Sequence, residues 1–116
     1  NLLWNTLRHG RAIDILITHA PPWGIHDADD LPHQGFKAYL DFMERHKPLY
    51  LIHGHTHLYR LNAKRRTQYC ETTVLNTYGY QVIEVDEEAL QRRKIKLDKA
   101  CPESADVGTA NKPAAE

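Results

Sequence analysis

Residues 14–24 read DILITHAPPWG and residues 50–57 read YLIHGHTH. Both stretches follow one plan: a short apolar run, then histidine beside a residue that breaks regular structure. Residues 13–18 (IDILIT) are β-branched and apolar, with Asp14 as the only charge, which predicts a buried strand of a parallel or mixed sheet. Pro21 and Pro22 end it, because proline cannot donate to a ladder, and Gly24 permits a turn. Residues 49–53 (LYLIH) predict a second buried strand, ending at Gly54. Between them lie a polar, Asp-rich loop over residues 24–32 and a helix over residues 34–46. The helix places Phe36, Tyr39, Leu40 and Met43 at i, i+3, i+4 and i+7, one apolar face between Pro32 and Pro48. Strand, helix, strand is a βαβ unit, which needs a parallel pair.

Outward from this unit the signals change. Residues 1–9 (NLLWNTLRH) put Leu3, Trp4 and Leu7 on one face of a short helix ending at Gly10. After residue 57, β-type runs at 67–70, 72–77 and 80–85 are separated by turn signals, which reads as antiparallel and sheet-edge. Residues 86–93 read as a short helix and 94–98 as a strand. From Cys101 onward the composition loses periodicity, so residues 101–116 read as a disordered tail.

The chain has 116 residues, one domain at most on a prior of roughly 100–200 residues per domain. Lys+Arg and Asp+Glu are 15 each, so the net charge is zero. That removes the simplest electrostatic case for a membrane surface and leaves nucleic acid only as a substrate. No apolar run is long enough to cross a bilayer. Cys70 and Cys101 make neither a disulfide framework nor a cysteine zinc site, and they suit a reducing cytoplasm.

Seven of the eight histidines fall between His19 and His57. In open α/β sheets, ligands bind outside the carboxyl ends of the strands. A right-handed βαβ crossover puts both carboxyl ends on one edge, where His19, His55 and His57 can converge. Three imidazoles with one open position is a catalytic zinc stoichiometry. The H-x-H spacing points both side chains one way in an extended segment, and Gly54 allows a sharp turn without Cβ strain.

With these motifs the chain resembles the calcineurin-like metallophosphoesterases. The matching segments are residues 14–24 and 50–57, which look like that family's last two blocks, and the likeness covers roughly residues 1–85. It implies the C-terminal part of a four-layer α/β/β/α sandwich with a mixed sheet, here an incomplete domain over residues 1–100. It also implies two divalent metals (Mn, Fe, Zn or Ni) and a bridging hydroxide that attacks the phosphorus of a phosphate-ester substrate. By the same likeness, His19 and His55 resemble ligands of one metal and His57 a ligand of the other.

The family's earlier D-x-H, G-D and G-N-H-[DE] blocks do not occur, and with them go the bridging Asp, the Asn ligand and the general-acid His. The chain also begins at Asn1 and not Met. Both features read as the carboxyl half of a phosphomono- or phosphodiesterase, inactive alone. The alternative is a truncated, non-catalytic metal-binding or interaction piece. A metallo-β-lactamase-type site is remote, because it needs H-x-H-x-D-H and His57 is followed by Leu58, Tyr59 and Arg60. Asn76, Thr77, Tyr78 and Gly79 stand where the family has an N-P-G-S-like turn.

Other residues have chemistry to weigh. His26 is a candidate substrate contact, and with Asp27 a candidate for orienting a metal-bound histidine. Set against that is a solvated loop. His33 and His46 read as surface residues flanking the helix, and His53 as packed and hydrogen-bonded. Trp23 reads as packing, with base stacking as the alternative. Residues 64–66 (KRR) read as a solvated turn, with phosphate guidance as the alternative.

Overall fold

The computed structural model describes residues 1–9, 13–58 and 63–88. Its elements are α1 (Leu2–His9), β1 (Ile15–Thr18), a 3-10 turn (Leu31–His33), α2 (Lys37–His46), β2 (Tyr50–His53), β3 (Arg66–Tyr69) and β4 (Thr72–Asn76). The strands form one mixed sheet in the order β1-β2-β4-β3. β1 and β2 are parallel neighbours, Ile15 opposite Tyr50 and Thr18 opposite His53. The βαβ unit read from the sequence is therefore present. β2 is also parallel to β4, and β3 closes the edge antiparallel to β4. Thr18, His53 and Asn76 end three parallel strands in one row.

One face of the sheet holds the core. Leu16, Leu51 and Val74 face each other across the three strands. Met43, Tyr39 and Leu40 of α2 pack on them, with Ile25 and Tyr69. The i, i+4 spacing of Tyr39 and Met43 produces this contact. α2 ends at Lys47, left-handed at φ 46°, whose N–H donates to Met43 O. Pro48 then prevents continuation.

β1 is not buried: it is an edge strand, Ile17 is 74% exposed and Ile15 is exposed too. Among the described residues, no layer covers its second face. Phe36 leaves the predicted helix face. It is the extended N-cap of α2, 54% exposed, held by a bridge to Pro22. β4 pairs antiparallel with β3 as the sequence suggests, but it is a central strand, buried at all five positions, and not an edge. The run over residues 80–85 forms no strand, and Tyr80 and Val82 are exposed. The helix expected over 86–93 lies mostly outside the described residues, and the strand over 94–98 and tail over 101–116 wholly so. The α/β class stands; a four-layer sandwich is not among the described elements.

Candidate functional site

The row of carboxyl ends fixes where the histidines go. Gly54 N–H donates to His19 O at 3.2 Å, tying the end of β1 to the end of β2. Thr56 N–H then donates back to Gly54 O at 2.7 Å, closing a tight turn. The left-handed residue in that turn is His55 at φ 62°, not Gly54, and a Cβ on Gly54 would meet nothing within 4 Å. The sequence alone suggests Gly54 for that role, but the positive φ falls on His55. A non-glycine residue in this region is uncommon and is often held for function.

Asn76 secures the turn from beneath. It is fully buried at the end of β4; its amide donates to Thr56 O at 2.9 Å and its Oδ1 accepts Tyr78 N–H at 2.9 Å. Thr77 adds its N–H and hydroxyl on His53 O at 2.8 and 3.1 Å.

His19 and His55 meet at this edge, ring centroids 4.7 Å apart and edge-on. His55 Nε2–H donates to Pro32 O at 2.7 Å, which leaves Nδ1 with the lone pair. On its other side His55 contacts His33, centroids 5.1 Å apart. His33 Nδ1 is hydrogen-bonded to Asp30 Oδ2, and the histidine holds that carboxyl below its usual range. His57 is exposed and its ring lies on Tyr78, 4.7 Å between centroids. Of the three histidines expected to converge, the structure joins two. Among the described residues no three His, Cys, Asp or Glu side chains stand in an arrangement ready for a metal ion.

His26 is part of a built network. The loop carrying it is locked by Trp23 N–H to Phe36 O and Phe36 N–H to Pro21 O, 3.2 and 3.1 Å. His26 is left-handed at φ 58°. Its Nδ1 lies 2.9 Å from His53 Nε2 and its Nε2 2.8 Å from Thr67 Oγ1. His53 Nδ1 lies 3.0 Å from Gly54 O. A carbonyl only accepts, so His53 carries its proton on Nδ1, and His26 must donate from Nδ1 to His53 Nε2. Thr67 then donates to His26 Nε2. One set of neutral tautomers satisfies the chain. Burial pushes His26 down to about 4, with His53 and Lys64 adding to the effect. Burial also lowers His53, against the Gly54 carbonyl, which raises it.

Beside this network is an open pocket of about 410 Å³ whose lining includes His26, Asp27, Thr56, Lys64 and Thr67. The Thr56 hydroxyl is buried without a hydrogen-bond partner among the described residues. Trp23 lies under Lys37, whose Nζ is 4.7 Å from the ring, and His46 stacks on Phe42. Arg65 donates to Tyr78 O at 2.9 Å.

His33 is partly exposed at the surface, as its sequence position suggests, but its contacts with Asp30 and His55, the Thr67 partner of His26 and the buried role of Asn76 have no signal in residue type or periodicity. The one local signal was Asp30 and His33 at i, i+3 around Pro32, a spacing that brings side chains together in a single turn. No protein-family model, curated protein or solved structure matches the chain.

Proposed function

We propose that this chain supplies part of the metal centre of a metal-dependent phosphoesterase acting on phosphomono- or phosphodiesters. The observation that carries the reading is the contact of His19 with His55 at the carboxyl ends of two adjacent parallel strands. That edge is where α/β sheets bind ligands. His55 has Nε2 fixed on a backbone carbonyl and Nδ1 left for a cation, the usual state of a metal-binding histidine.

On this reading His19 and His55 hold one divalent metal (Mn, Fe, Zn or Ni), and His57, on the Tyr78 side, belongs to a second. Bound there, such metals would polarise a phosphoryl oxygen and stabilise the charge that develops on it. The chain's own residues orient the site. Asn76 and Thr77 fix the turn that aims His55, and the His26–His53 pair braces it through Gly54 O. His26 itself is committed to His53 and Thr67, so a direct substrate contact by its ring requires breaking that chain.

The general acid belongs to residues outside this chain. The proposal includes a cytoplasmic location. The test is turnover of a phosphate ester by the complete protein. His55→Ala should abolish it, and chelation should do the same reversibly. Retained activity of His55→Ala in metal-replete buffer would overturn the assignment. The alternative, a non-catalytic metal-binding piece, predicts metal uptake with no turnover in the complete protein.

A further inference from the structure

The pocket beside the His26 network has no part in the function proposed above. Its volume of about 410 Å³ is that of a small-molecule site. It opens between the loop after β1, Thr56 in the turn after β2, and Lys64 and Thr67 around the start of β3. β3 runs antiparallel to β4, so its start lies at the carboxyl edge of the parallel strands, where α/β sheets bind ligands. We infer that this pocket binds a small phosphorylated polyol of sugar-phosphate size, its phosphate on Lys64 and Thr56 and its hydroxyls on Asp27. The site needs neither a metal nor hydrolysis, so it goes beyond the phosphoesterase reading and does not rest on it.

Lys64 supplies the charge. Of residues 64–66 it alone lines the pocket. Arg65 is engaged on Tyr78 O, and Arg66 and Thr67 are successive strand residues, so they project to opposite faces of the sheet. Lys64 is one of the charges that push His26 down, and no carboxylate opposes it among the described residues. The wall of the pocket therefore favours an anion. His26 itself has both ring nitrogens engaged, on His53 and Thr67, so it shapes the pocket and leaves the ligand to others.

Thr56 supplies a hydroxyl in need of a partner. It is buried with no hydrogen bond among the described residues, an arrangement that folded proteins avoid. No bond holds its rotamer, so a turn about Cα–Cβ brings the hydroxyl to a phosphate oxygen. Asp27 sets the rest of the ligand. Its Oδ2 accepts Gly35 N–H at 3.0 Å. A carboxylate accepts up to about four hydrogen bonds, so it takes ligand hydroxyls as well. Its charge also opposes a second phosphate. Inorganic phosphate alone would leave most of the volume empty, whereas a hydroxylated carbon skeleton fills it against Ile25 and Leu58.

The experiment is isothermal titration calorimetry of the full chain at neutral pH with a chelator present. The probes are ribose 5-phosphate, ribose and inorganic phosphate. Ribose 5-phosphate should bind, and the other two about tenfold more weakly or worse, since each keeps only part of the contacts. Lys64→Gln should weaken ribose 5-phosphate about tenfold, the loss of a charge-assisted hydrogen bond, and Thr56→Val about fivefold. Asp27→Asn should weaken ribose about fivefold and leave inorganic phosphate no weaker. Arg66→Gln should stay within about twofold, being outside the pocket. No binding of ribose 5-phosphate by the wild-type chain, or equal affinity for it and inorganic phosphate, overturns the inference. Equal losses in Lys64→Gln and Arg66→Gln also overturn it, because they show a diffuse surface charge and no site. If Thr56→Val alters the far-ultraviolet dichroism, Lys64→Gln decides, since Lys64 is exposed and its loss leaves the fold intact. The two readings fail separately. Binding under chelation without phosphoester turnover in the complete protein sinks the phosphoesterase alone. Metal-dependent turnover with no metal-free binding of ribose 5-phosphate sinks this site alone.

Discussion

Asn76 carries more of the site than its type suggests. It is buried at the end of β4, with both ends of its amide engaged on the turn that aims His55. Replacing it leaves Thr56 O and Tyr78 N–H without their partners. Asn76→Ala should cost about 1–3 kcal/mol in urea unfolding, the usual penalty for orphaned buried groups. An unchanged midpoint would show that the turn holds itself. His26 makes a pH prediction. Unfolded, it titrates at 6.5; folded, at about 4. The native state therefore binds fewer protons between those values, so stability is full above the unfolded value and falls as pH drops toward the folded one. His26 is partly exposed, and solvent screening holds the loss to on the order of 1–2 kcal/mol. Urea midpoints at about pH 7 and about pH 5 should show the drop, and His26→Gln should flatten it. His53 was legible as a packed histidine; at 1% exposed it is one. Its partner was not, because His26 is 27 residues away and only a left-handed turn aims it inward.

At the scale of elements, the loop between β1 and α2 is the part that sequence periodicity could not resolve. Gly35 shows why. A Cβ there would lie 2.2 Å from Pro22 O and 2.6 Å from Trp23 N, so the two loop strands touch only because the side chain is absent. Gly35→Ala should cost about 1–3 kcal/mol. It should also release the Pro21–Phe36 and Trp23–Phe36 hydrogen bonds, seen as faster amide exchange at Trp23 and Phe36. The same bridge removes Phe36 from the helix face that its spacing assigned to it. Helix periodicity is local, whereas the bridge joins residues 22 and 36. β4 has a similar history. Its residues 72–76 alternate no more than a fully buried strand requires, and only its pairing with β2 makes it central.

Over the whole molecule, the described residues bury few apolar side chains: Ile25, Met43, Leu51, Val74 and Leu75. Leu51→Ala, at the centre of the row, should cost about 2–5 kcal/mol, a large share of a typical domain's 5–15 kcal/mol. Meanwhile Leu3, Leu7, Ile15 and Ile17 are exposed, and parallel sheets are ordinarily covered on both faces. Ile17→Lys should therefore raise solubility with little loss of stability; a matching drop in the urea midpoint would show that Ile17 is already packed.

The sequence by itself determined the βαβ order, the parallel pair and the histidines at two strand ends. These follow from apolar periodicity and from proline and glycine, which act over a few residues. Only the tertiary structure decided which histidines meet. His33 reaches His55 across 22 residues and His57, two residues away, turns to Tyr78. Ring contacts of this kind are set by how the loop folds over the sheet edge, and hydrophobic spacing holds no information about that.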